Sequence, residues 1–165
     1  MGSNPIREKY HRLPLEYYRG EIAISFTLCI KGRVSAFTRK AVVDPLIDIL
    51  ANSASRESCQ VPVYCYMPEH QHLILLGTEP HSDIWKALCE YKQRSGFWLS
   101  LNLPGIRWQK DFHDHIMRAR DDLAGHVRYI LENPVRKELV SNWQEYPFSG
   151  SLRCTLDEVL AGLFN

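Results

Sequence analysis

Apolar residues recur along the chain in two patterns, and each pattern predicts one kind of secondary structure. Runs that are rich in apolar, β-branched and aromatic residues predict three strands. These runs span residues 20–30, 59–67 and 70–77. Apolar residues spaced three and four apart predict three helices. These helices span residues 38–54, 81–96 and 119–133.

The connections between these segments indicate the fold class. Residues 68–69, Pro-Glu, leave room only for a tight connection between two predicted strands, which favours a hairpin. Segments 97–108 and 110–117 are also expected to be extended. Because strands and helices are interspersed and one strand pair is joined tightly, we predict an α+β fold. Its antiparallel sheet would carry helices packed mainly on one face.

The length of the chain fits a single domain spanning residues 1–165. From about residue 134 onward the chain is expected to be irregular, except for a short helix at 155–164. No apolar run reaches the ~18 residues that a membrane span needs. The start of the chain has no apolar region typical of a secretory signal. Five scattered cysteines without CxxC spacing indicate reduced thiols. We therefore expect a cytoplasmic protein with no membrane partner.

The net charge is only +1, so overall charge does not argue for nucleic acid. Basic and aromatic residues are nevertheless mixed at 91–98 and 106–112. This mixture suits single-stranded nucleic acid, since bases stack on aromatic rings while cations contact phosphates. It equally suits solvated helix faces beside core aromatic residues. Lys92, Arg94 and Arg118 are candidate phosphate contacts, and surface solvation explains each of them as well.

Two histidines stand at the start of the third predicted strand. Because side chains alternate between the faces of a strand, His70 and His72 point to the same side. Two imidazoles at this spacing can bind one divalent ion and leave positions for another ligand, water and substrate. The pair also fits two partly exposed histidines with no metal, and the pair alone leaves both interpretations open.

The third predicted helix carries a tyrosine away from its apolar side. Leu123, Val127 and Ile130 form an apolar stripe, and Tyr129 lies roughly 120° from the middle of that stripe. Asn133 follows one turn later on the same side as Tyr129. The two side chains can therefore face one spot. By geometry alone, a surface tyrosine followed by an Asn-Pro helix stop is the simpler interpretation.

A phenol, an amide and two imidazoles make chemical sense as a set. A phenol has a pKa of ~10 and is a weak nucleophile at neutral pH, so it needs a strongly activated target. A divalent cation bound to a phosphodiester withdraws charge from phosphorus and supplies that activation. The product would be a covalent phosphotyrosine, which splits one transesterification into two. Because the bond energy is conserved, no ATP site is required.

Four segments of the chain resemble motifs of one enzyme family. YMPEHQHLILL at 66–76 is similar to its Met-Pro-x-His-x-His strand, and WQKDFHDHIMR at 108–118 is similar to its Trp-Gln … Phe-x-Asp-His … Arg segment. YILENPVRKELV at 129–140 resembles its Tyr-Ile-x-x-Asn-Pro-Val-Arg-x-x-Leu-Val segment, and EYPFSGS at 145–151 resembles the Tyr-Pro-aromatic-Ser that follows. The family is that of the HUH single-tyrosine transposases, and within it the REP-associated tyrosine transposases.

The resemblance implies a fold, an activity and roles for individual residues. It implies a ferredoxin-like (RRM-like) sheet, metal ligands at His70, His72 and Asn133, and a nucleophile at Tyr129. It also implies cleavage of single-stranded DNA beside a hairpin, with Mg²⁺ or Mn²⁺, through a 5′-phosphotyrosine. Family members act as monomers or homodimers. The residues expected to contact DNA are Lys92, Arg94, Arg118, Arg128 and Arg136.

The chain departs from the family pattern at two places. Gln71 stands between the paired histidines, where an apolar residue is usual, and we expect it to face away from the metal. Lys137 and Glu138 replace a small residue and a glycine just beyond the tyrosine helix. Neither change removes a proposed site residue, but the first affects packing beneath the histidines and the second affects DNA contacts.

Two rival functions remain compatible with the sequence. The first is a catalytically inert or domesticated protein that keeps the fold and binds hairpin DNA. The second is a metal-dependent hydrolase that uses another His-x-His pair, His113 and His115. The hydrolase would keep its activity after loss of Tyr129.

Overall fold

The computed structural model of the protein describes residues 13–118 and 122–162. Its strands are β1 (Ala23–Ile30), β2 (Cys59–Met67), β3 (His70–Gly77), β4 (Trp108–Met117) and β5 (Ser149–Leu152). Its α-helices are α1 (Lys40–Arg56), α2 (Ile84–Asn102), α3 (Leu123–Leu131), α4 (Asn133–Arg136) and α5 (Leu156–Leu160). The predicted start of the third helix, at 119–121, lies outside the described residues.

The five strands form one antiparallel sheet with the order β4-β1-β3-β2-β5. Strands β2 and β3 form the hairpin that residues 68–69 predict. Strand β1 lies between β3 and β4, although it comes first in the chain. Its register places Cys29 opposite His70 and Thr27 opposite His72. Strand β1 therefore lies directly beside both histidines.

The two faces of the sheet pack against different helices. The face that carries Leu73 and Leu75 belongs to the larger core, which also contains Leu46 of α1 and Leu88 of α2. The opposite face carries Ile74 and belongs to a smaller core with α3 and α5. The predicted α+β class with an antiparallel sheet is confirmed, and the two longest helices share one face.

Helix α2 continues past the point where the sequence predicts its end. The prediction that 97–108 is extended was wrong for its first half, since α2 runs to Asn102. Gly96 lies inside the helix, beside the ring of Trp108. Leu99, almost one turn later, is fully buried. Burial of this inner side outweighs the cost of a glycine inside a helix, which is about 1 kcal/mol.

The C-terminal part of the chain contains a strand that the sequence pattern does not predict. Strand β5 pairs with the edge of β2. Its glycine allows a close approach, because a Cβ at Gly150 would lie 2.7 Å from the phenol oxygen of Tyr64. The short helix α5 begins with a capping box formed by Thr155 and Glu158. None of the helices in the described residues has both the length and the apolar character that a bilayer span requires.

Candidate active site

The histidines of β3 form a close pair on the face that also carries α3. The Nε2 atoms of His70 and His72 are 3.0 Å apart, and the two rings are nearly perpendicular. The other ring nitrogen of each histidine has its own partner. Nδ1 of His72 lies 3.0 Å from the hydroxyl of Thr27, and Nδ1 of His70 lies 3.2 Å from the carboxylate of Glu69. These contacts orient both rings so that their Nε2 atoms point toward one common position.

This arrangement fits a divalent ion. Two ligands bound at about 2.1 Å and at right angles to each other are separated by about 3 Å, which is the separation of the two Nε2 atoms. Metal-binding histidines are usually oriented through their second nitrogen by a carboxylate or another polar group. Thr27 and Glu69 occupy those positions here. The donor set is therefore suitable for a metal with open coordination positions.

The electrostatic surroundings keep both imidazoles neutral. Burial, together with the nearby charges of His70, Arg136 and Arg33, lowers the pKa of His72 to about 4. Burial also lowers the pKa of His70, although Glu69 acts against this shift. Neutral imidazole is the form that binds metal ions. Both rings are thus available as ligands at neutral pH.

Tyr129, the predicted nucleophile, lies on the exposed side of α3. Its side chain is 63% exposed, as the helical pattern predicts. Tyr129 and His72 line one cavity of about 500 Å³, together with Thr27, His115 and His126. Helix α3 thus carries the phenol to the same cavity that one ring of the histidine pair lines.

Arg136 connects the tyrosine to the predicted third ligand. Its guanidinium lies 3.9 Å from the centre of the Tyr129 ring. It donates hydrogen bonds to the backbone carbonyl of Tyr129 at 2.6 Å and to the side-chain oxygen of Asn133 at 3.0 Å. The side-chain nitrogen of Asn133 is buried and has no hydrogen-bond partner among the described residues. A buried amide with an unsatisfied group is more typical of a functional site than of a packed core.

The other residues predicted to contact DNA lie in several different places. Lys92 donates to backbone carbonyls of β4 and lies over the ring of Phe112, and Arg94 pairs with Glu90. Both belong to α2, on the face of the sheet opposite the histidines. Arg128 donates to the backbone of α5, and Arg118 is exposed at the end of β4. The structure therefore brings Arg136 to the histidine side and leaves Lys92 and Arg94 on the other face.

Gln71 points away from the histidine face, as expected from strand alternation. It is fully buried, and its carbonyl oxygen accepts a hydrogen bond of 2.7 Å from the hydroxyl of Tyr91. The hydroxyls of Tyr91 and Tyr66 are 2.8 Å apart. A buried polar network therefore replaces the apolar packing that is usual at this position.

The rival histidine pair lies on β4. His113 and His115 both face the α3 side, opposite Thr27 and Ser25 of β1. The ring of His115 stacks in parallel on that of His126, with centroids 5.9 Å apart. Throughout residues 13–118 and 122–162, no group of three or more His, Cys, Asp or Glu side chains is arranged to hold an ion. Among the described residues, the histidine pair therefore has no third ligand from a His, Cys, Asp or Glu side chain.

Sequence reasoning missed two residues that hold the histidines and one that lines the cavity. Thr27 lies in an apolar run that predicts a buried strand, and the only local signal was a polar residue at alternate positions, Ser25 and Thr27. Glu69 was treated as part of a turn. His126 precedes Tyr129 by three residues, a helical spacing that could have indicated a shared face.

Comparison with known sequences places the protein in the class of transposases. The sequence profile of the family described as "Transposase IS200 like" matches residues 19–133, and the chain belongs to that family. It is similar to the REP-associated tyrosine transposase of Escherichia coli K12, with 32% identity over 90 residues. That match covers 54% of this chain and 53% of the relative, so it spans about half of the relative's length.

Two further comparisons cover more of the chain. A relative from Haemophilus influenzae is 26% identical over 155 residues, which is 81% of this chain and 82% of the relative. The fold is similar to that in a solved structure of a REP-associated tyrosine transposase bound to a REP hairpin. That likeness has a TM-score of 0.66 and 23% identity, and it covers 86% of this chain and 81% of the other. At this identity the likeness establishes the fold.

Proposed function

We propose that this protein is a metal-dependent enzyme that cuts and joins single-stranded DNA beside hairpins through a 5′-phosphotyrosine at Tyr129. The observation that supports this function best is the meeting of two groups in one cavity. One is His72 of the oriented, neutral histidine pair, and the other is the exposed phenol of Tyr129 on the helix packed against the same face. Membership of the IS200-like transposase family supports the same reaction class.

His70, His72 and Asn133 would hold the ion, which we propose is Mg²⁺ or Mn²⁺. When bound, it withdraws charge from the scissile phosphate. The two imidazoles supply neutral ligands whose orientation Thr27 and Glu69 maintain. The side-chain oxygen of Asn133 would supply a third ligand, and it accepts a hydrogen bond of 3.0 Å from Arg136. A set of neutral ligands leaves the full charge of the ion available to the phosphate.

Tyr129 acts as the nucleophile in the proposed reaction. Its phenol oxygen forms a bond to phosphorus, its proton passes to solvent, and the bond from phosphorus to the 3′-oxygen breaks. The 3′-oxygen leaves as a hydroxyl after taking up a proton, and the 5′-phosphate stays on the tyrosine. Attack by another 3′-hydroxyl reverses these steps and joins two DNA ends. Each step exchanges one phosphoester for another, so no nucleotide cofactor is consumed.

Arg136 positions the nucleophile in this proposal. Its guanidinium covers one side of the Tyr129 ring and fixes the amide of Asn133 at the same time. A cation over an aromatic ring is worth about 0.5–2 kcal/mol. Since Tyr129 is otherwise largely exposed, this contact restricts the directions that the phenol can take. The chemistry therefore depends on Arg136 through the orientation of Tyr129.

The DNA partner is proposed by analogy and by charge. Both the curated relative and the solved neighbour are named as REP-associated, and the neighbour is bound to a REP hairpin. We therefore propose hairpin DNA with single-stranded flanks as the substrate of this chain. Arg118, at the end of β4, and Arg128, within α3, are exposed and can contact such DNA. We propose that the protein acts on this DNA as a monomer or as a homodimer.

The decisive experiment tests for the covalent adduct. Labelled single-stranded hairpin DNA is incubated with Mn²⁺ and either the wild-type protein or Tyr129→Phe, and the products are separated on a denaturing gel. A stable protein–DNA adduct in the wild type alone supports the proposal. Cleavage without an adduct, unchanged by the substitution, would favour the hydrolase that uses His113 and His115. Binding without any cleavage would favour the inert DNA-binding protein.

A further inference from the structure

A second cavity, of about 480 Å³, opens at one end of the sheet, where β1 ends and β4 begins. Three cationic side chains line it, Lys31, Arg107 and Lys110. We propose that this basic cleft binds the phosphates of the single-stranded DNA that flanks the hairpin. That the ligand is DNA rests on the proposed function. That the cleft binds an anion rests on its concave shape and its three cationic side chains.

The charge of the basic cleft is unusual for this chain. The whole sequence carries a net charge of only +1, yet three cations meet here beside a single lining carboxylate, that of Asp111. In the described part of the chain, no carboxylate forms an ion pair with any of the three cations. A concave surface lined by one sign of charge attracts a polyanion. The local excess of charge therefore favours phosphate binding over simple solvation.

Three cationic side chains of α1 and α2 differ from those of the basic cleft because each forms an ion pair with a carboxylate. On α1 and α2, Lys40 pairs with Asp44, Arg56 pairs with Glu90 at 2.7 Å, and Lys86 pairs with Glu57 at 2.6 Å. Each of these side chains has its charge balanced by a neighbour. They consequently provide a control set for the basic cleft, with the same number of positive charges.

The backbone holds the basic cleft in a fixed shape. After β1 the chain turns through two residues with positive φ, Gly32 at 74° and Arg33 at 56°. The backbone N–H of Lys31 donates to the carbonyl of Arg107 at 2.9 Å, so these two cationic residues lie side by side. Below them, the indole N–H of Trp108 donates to the hydroxyl of Ser95 at 2.8 Å. The cleft is therefore formed before any ligand arrives.

The register of the sheet places the basic cleft close to the histidine pair. Cys29 lies opposite His70, and Ile30, the next residue of β1, lies opposite Trp108 in the cleft wall. Strands are about 4.8 Å apart, so the start of β4 is about 10 Å across the sheet from the start of β3. DNA that has one phosphate at the histidine pair can therefore reach the cleft within a few nucleotides.

Arg33 supplies a cation between the two places. Its guanidinium lies 3.4 Å from the carboxylate of Glu69, which in turn lies 3.2 Å from His70. Arg33 therefore lies between the histidine pair and the cations Lys31 and Arg107. Single-stranded DNA is flexible enough to follow such a row, and its backbone contacts add affinity without reading sequence.

The test compares two triple variants with the same change in charge. The cleft variant carries Lys31→Gln, Arg107→Gln and Lys110→Gln, and the control variant carries Lys40→Gln, Arg56→Gln and Lys86→Gln. Dissociation constants are measured over a range of salt concentrations, with EDTA present so that no metal-dependent step occurs. The DNA is a labelled hairpin with single-stranded flanks and, separately, the same hairpin without flanks. Thermal melting confirms that both variants fold.

We expect the cleft variant to bind the flanked hairpin about 10- to 100-fold more weakly than the wild type. Its log–log salt slope should fall by about 2, since each phosphate contact on single-stranded DNA contributes about 0.7. The control variant should change binding by less than about threefold. Equal losses in the two variants, or no loss in either, would overturn the proposal. A loss that is the same without the flanks would overturn the assignment to single-stranded DNA.

This experiment can succeed or fail independently of the chemistry at Tyr129. A protein that forms no adduct but binds flanked DNA through the basic cleft would refute the enzyme and support the cleft. Adduct formation together with unchanged DNA binding by the cleft variant would support the enzyme and refute the cleft.

Discussion

The histidine pair and the tyrosine region lie on the same face of the sheet, but they are held in different ways. His70 and His72 belong to β3, which is paired on both sides, and the second nitrogen of each ring contacts Thr27 or Glu69. Tyr129 belongs to a nine-residue helix, and its ring is 63% exposed. The metal half of the proposed site is fixed by the sheet, while the nucleophile half depends on one side-chain contact.

The histidine pair and Tyr129 differ in how firmly the structure holds them, because different contacts restrain their backbones and side chains. Interstrand hydrogen bonds of β3 fix its backbone, and burial removes alternative rotamers of its histidines. Helix α3 packs on the sheet through Val127, Ile130 and Leu131, which fix the helix but not a side chain on its outer side. Arg136 is the residue that restrains the Tyr129 ring. The two halves should therefore respond to substitution in different ways.

The largest effect is expected at the nucleophile itself. Tyr129→Phe removes one oxygen from an exposed ring, so folding and DNA binding should remain. Adduct formation on hairpin DNA should fall by at least about 10³-fold, as loss of a covalent nucleophile generally requires. Quantifying the adduct on denaturing gels gives the rate, and thermal melting is the control. An adduct that persists in this variant would assign the chemistry to another residue.

The second largest effect is expected from substitution of a residue of the histidine pair. His72→Ala should weaken Mn²⁺ binding more than about 100-fold, because it removes a ligand rather than a group that orients one. Calorimetric titration without DNA measures this directly. His113→Ala serves as the matched control, since it removes an exposed histidine on the same face of the sheet. A larger loss for His113→Ala than for His72→Ala would support the rival metal site.

Substitution of Arg136 tests whether its contact with the ring of Tyr129 orients the nucleophile. Arg136→Ala should slow adduct formation about 30-fold, which corresponds to about 2 kcal/mol for the ring contact and hydrogen bonds. Arg136→Lys keeps the charge but not the planar contact, so it should restore DNA binding without restoring the rate. Single-turnover rates and dissociation constants separate these effects. A variant that loses only DNA binding would make Arg136 a phosphate contact and nothing more.

A smaller effect is expected at Thr27, which orients His72. Thr27→Val has a similar shape but cannot hydrogen-bond to Nδ1, and we expect about tenfold weaker Mn²⁺ binding. The matched control is Ser25→Ala, two residues away on the same face of β1, which lies opposite Ile74 of β3 where Thr27 lies opposite His72. Similar losses in both variants would show that β1 contributes through packing rather than through this hydrogen bond.

The smallest effect is expected from a moderate change in pH. Burial and nearby charges lower the pKa of His72 to about 4, so this ring stays neutral as the pH falls from 8 to 6, and burial lowers the pKa of His70 as well. Mn²⁺ affinity should then change by less than about twofold over this range. Exposed imidazoles with a pKa of about 6.5 would lose affinity steeply near pH 6. Such a steep loss would contradict the buried, neutral pair.

Local patterns predicted the parts of the site that depend on one segment. The alternation in β3 placed His70 and His72 on one face, and the helical period placed Tyr129 away from the core. The contact of Thr27 with His72 could not be predicted, because it depends on how β1 pairs with a strand 45 residues away. The fold behaved similarly, since the β2–β3 hairpin was predicted but β5, which pairs with distant β2, was not.

The contact of Arg136 with Tyr129 could not be predicted from the sequence for a different reason. It lies only seven residues after Tyr129, but the chain between them leaves α3 and begins α4 at Asn133. A regular helix would carry Arg136 two turns beyond the tyrosine, whereas the observed turn brings the guanidinium back over the ring. Sequence reasoning assigned Arg136 to DNA because the local geometry of this turn cannot be read from periodicity.

The buried amide of Gln71 has a consequence for folding fidelity. A shift of β3 by one residue against its neighbours would exchange its two faces and drive both imidazoles into the large apolar core. An apolar residue between the histidines would oppose such a slip only weakly. Gln71 instead must meet the hydroxyl of Tyr91, a partner available in the native alignment alone. Misaligned chains would lose the hydrogen bond to the side-chain oxygen of Gln71, so this residue favours the native register of the strand that carries the histidine pair.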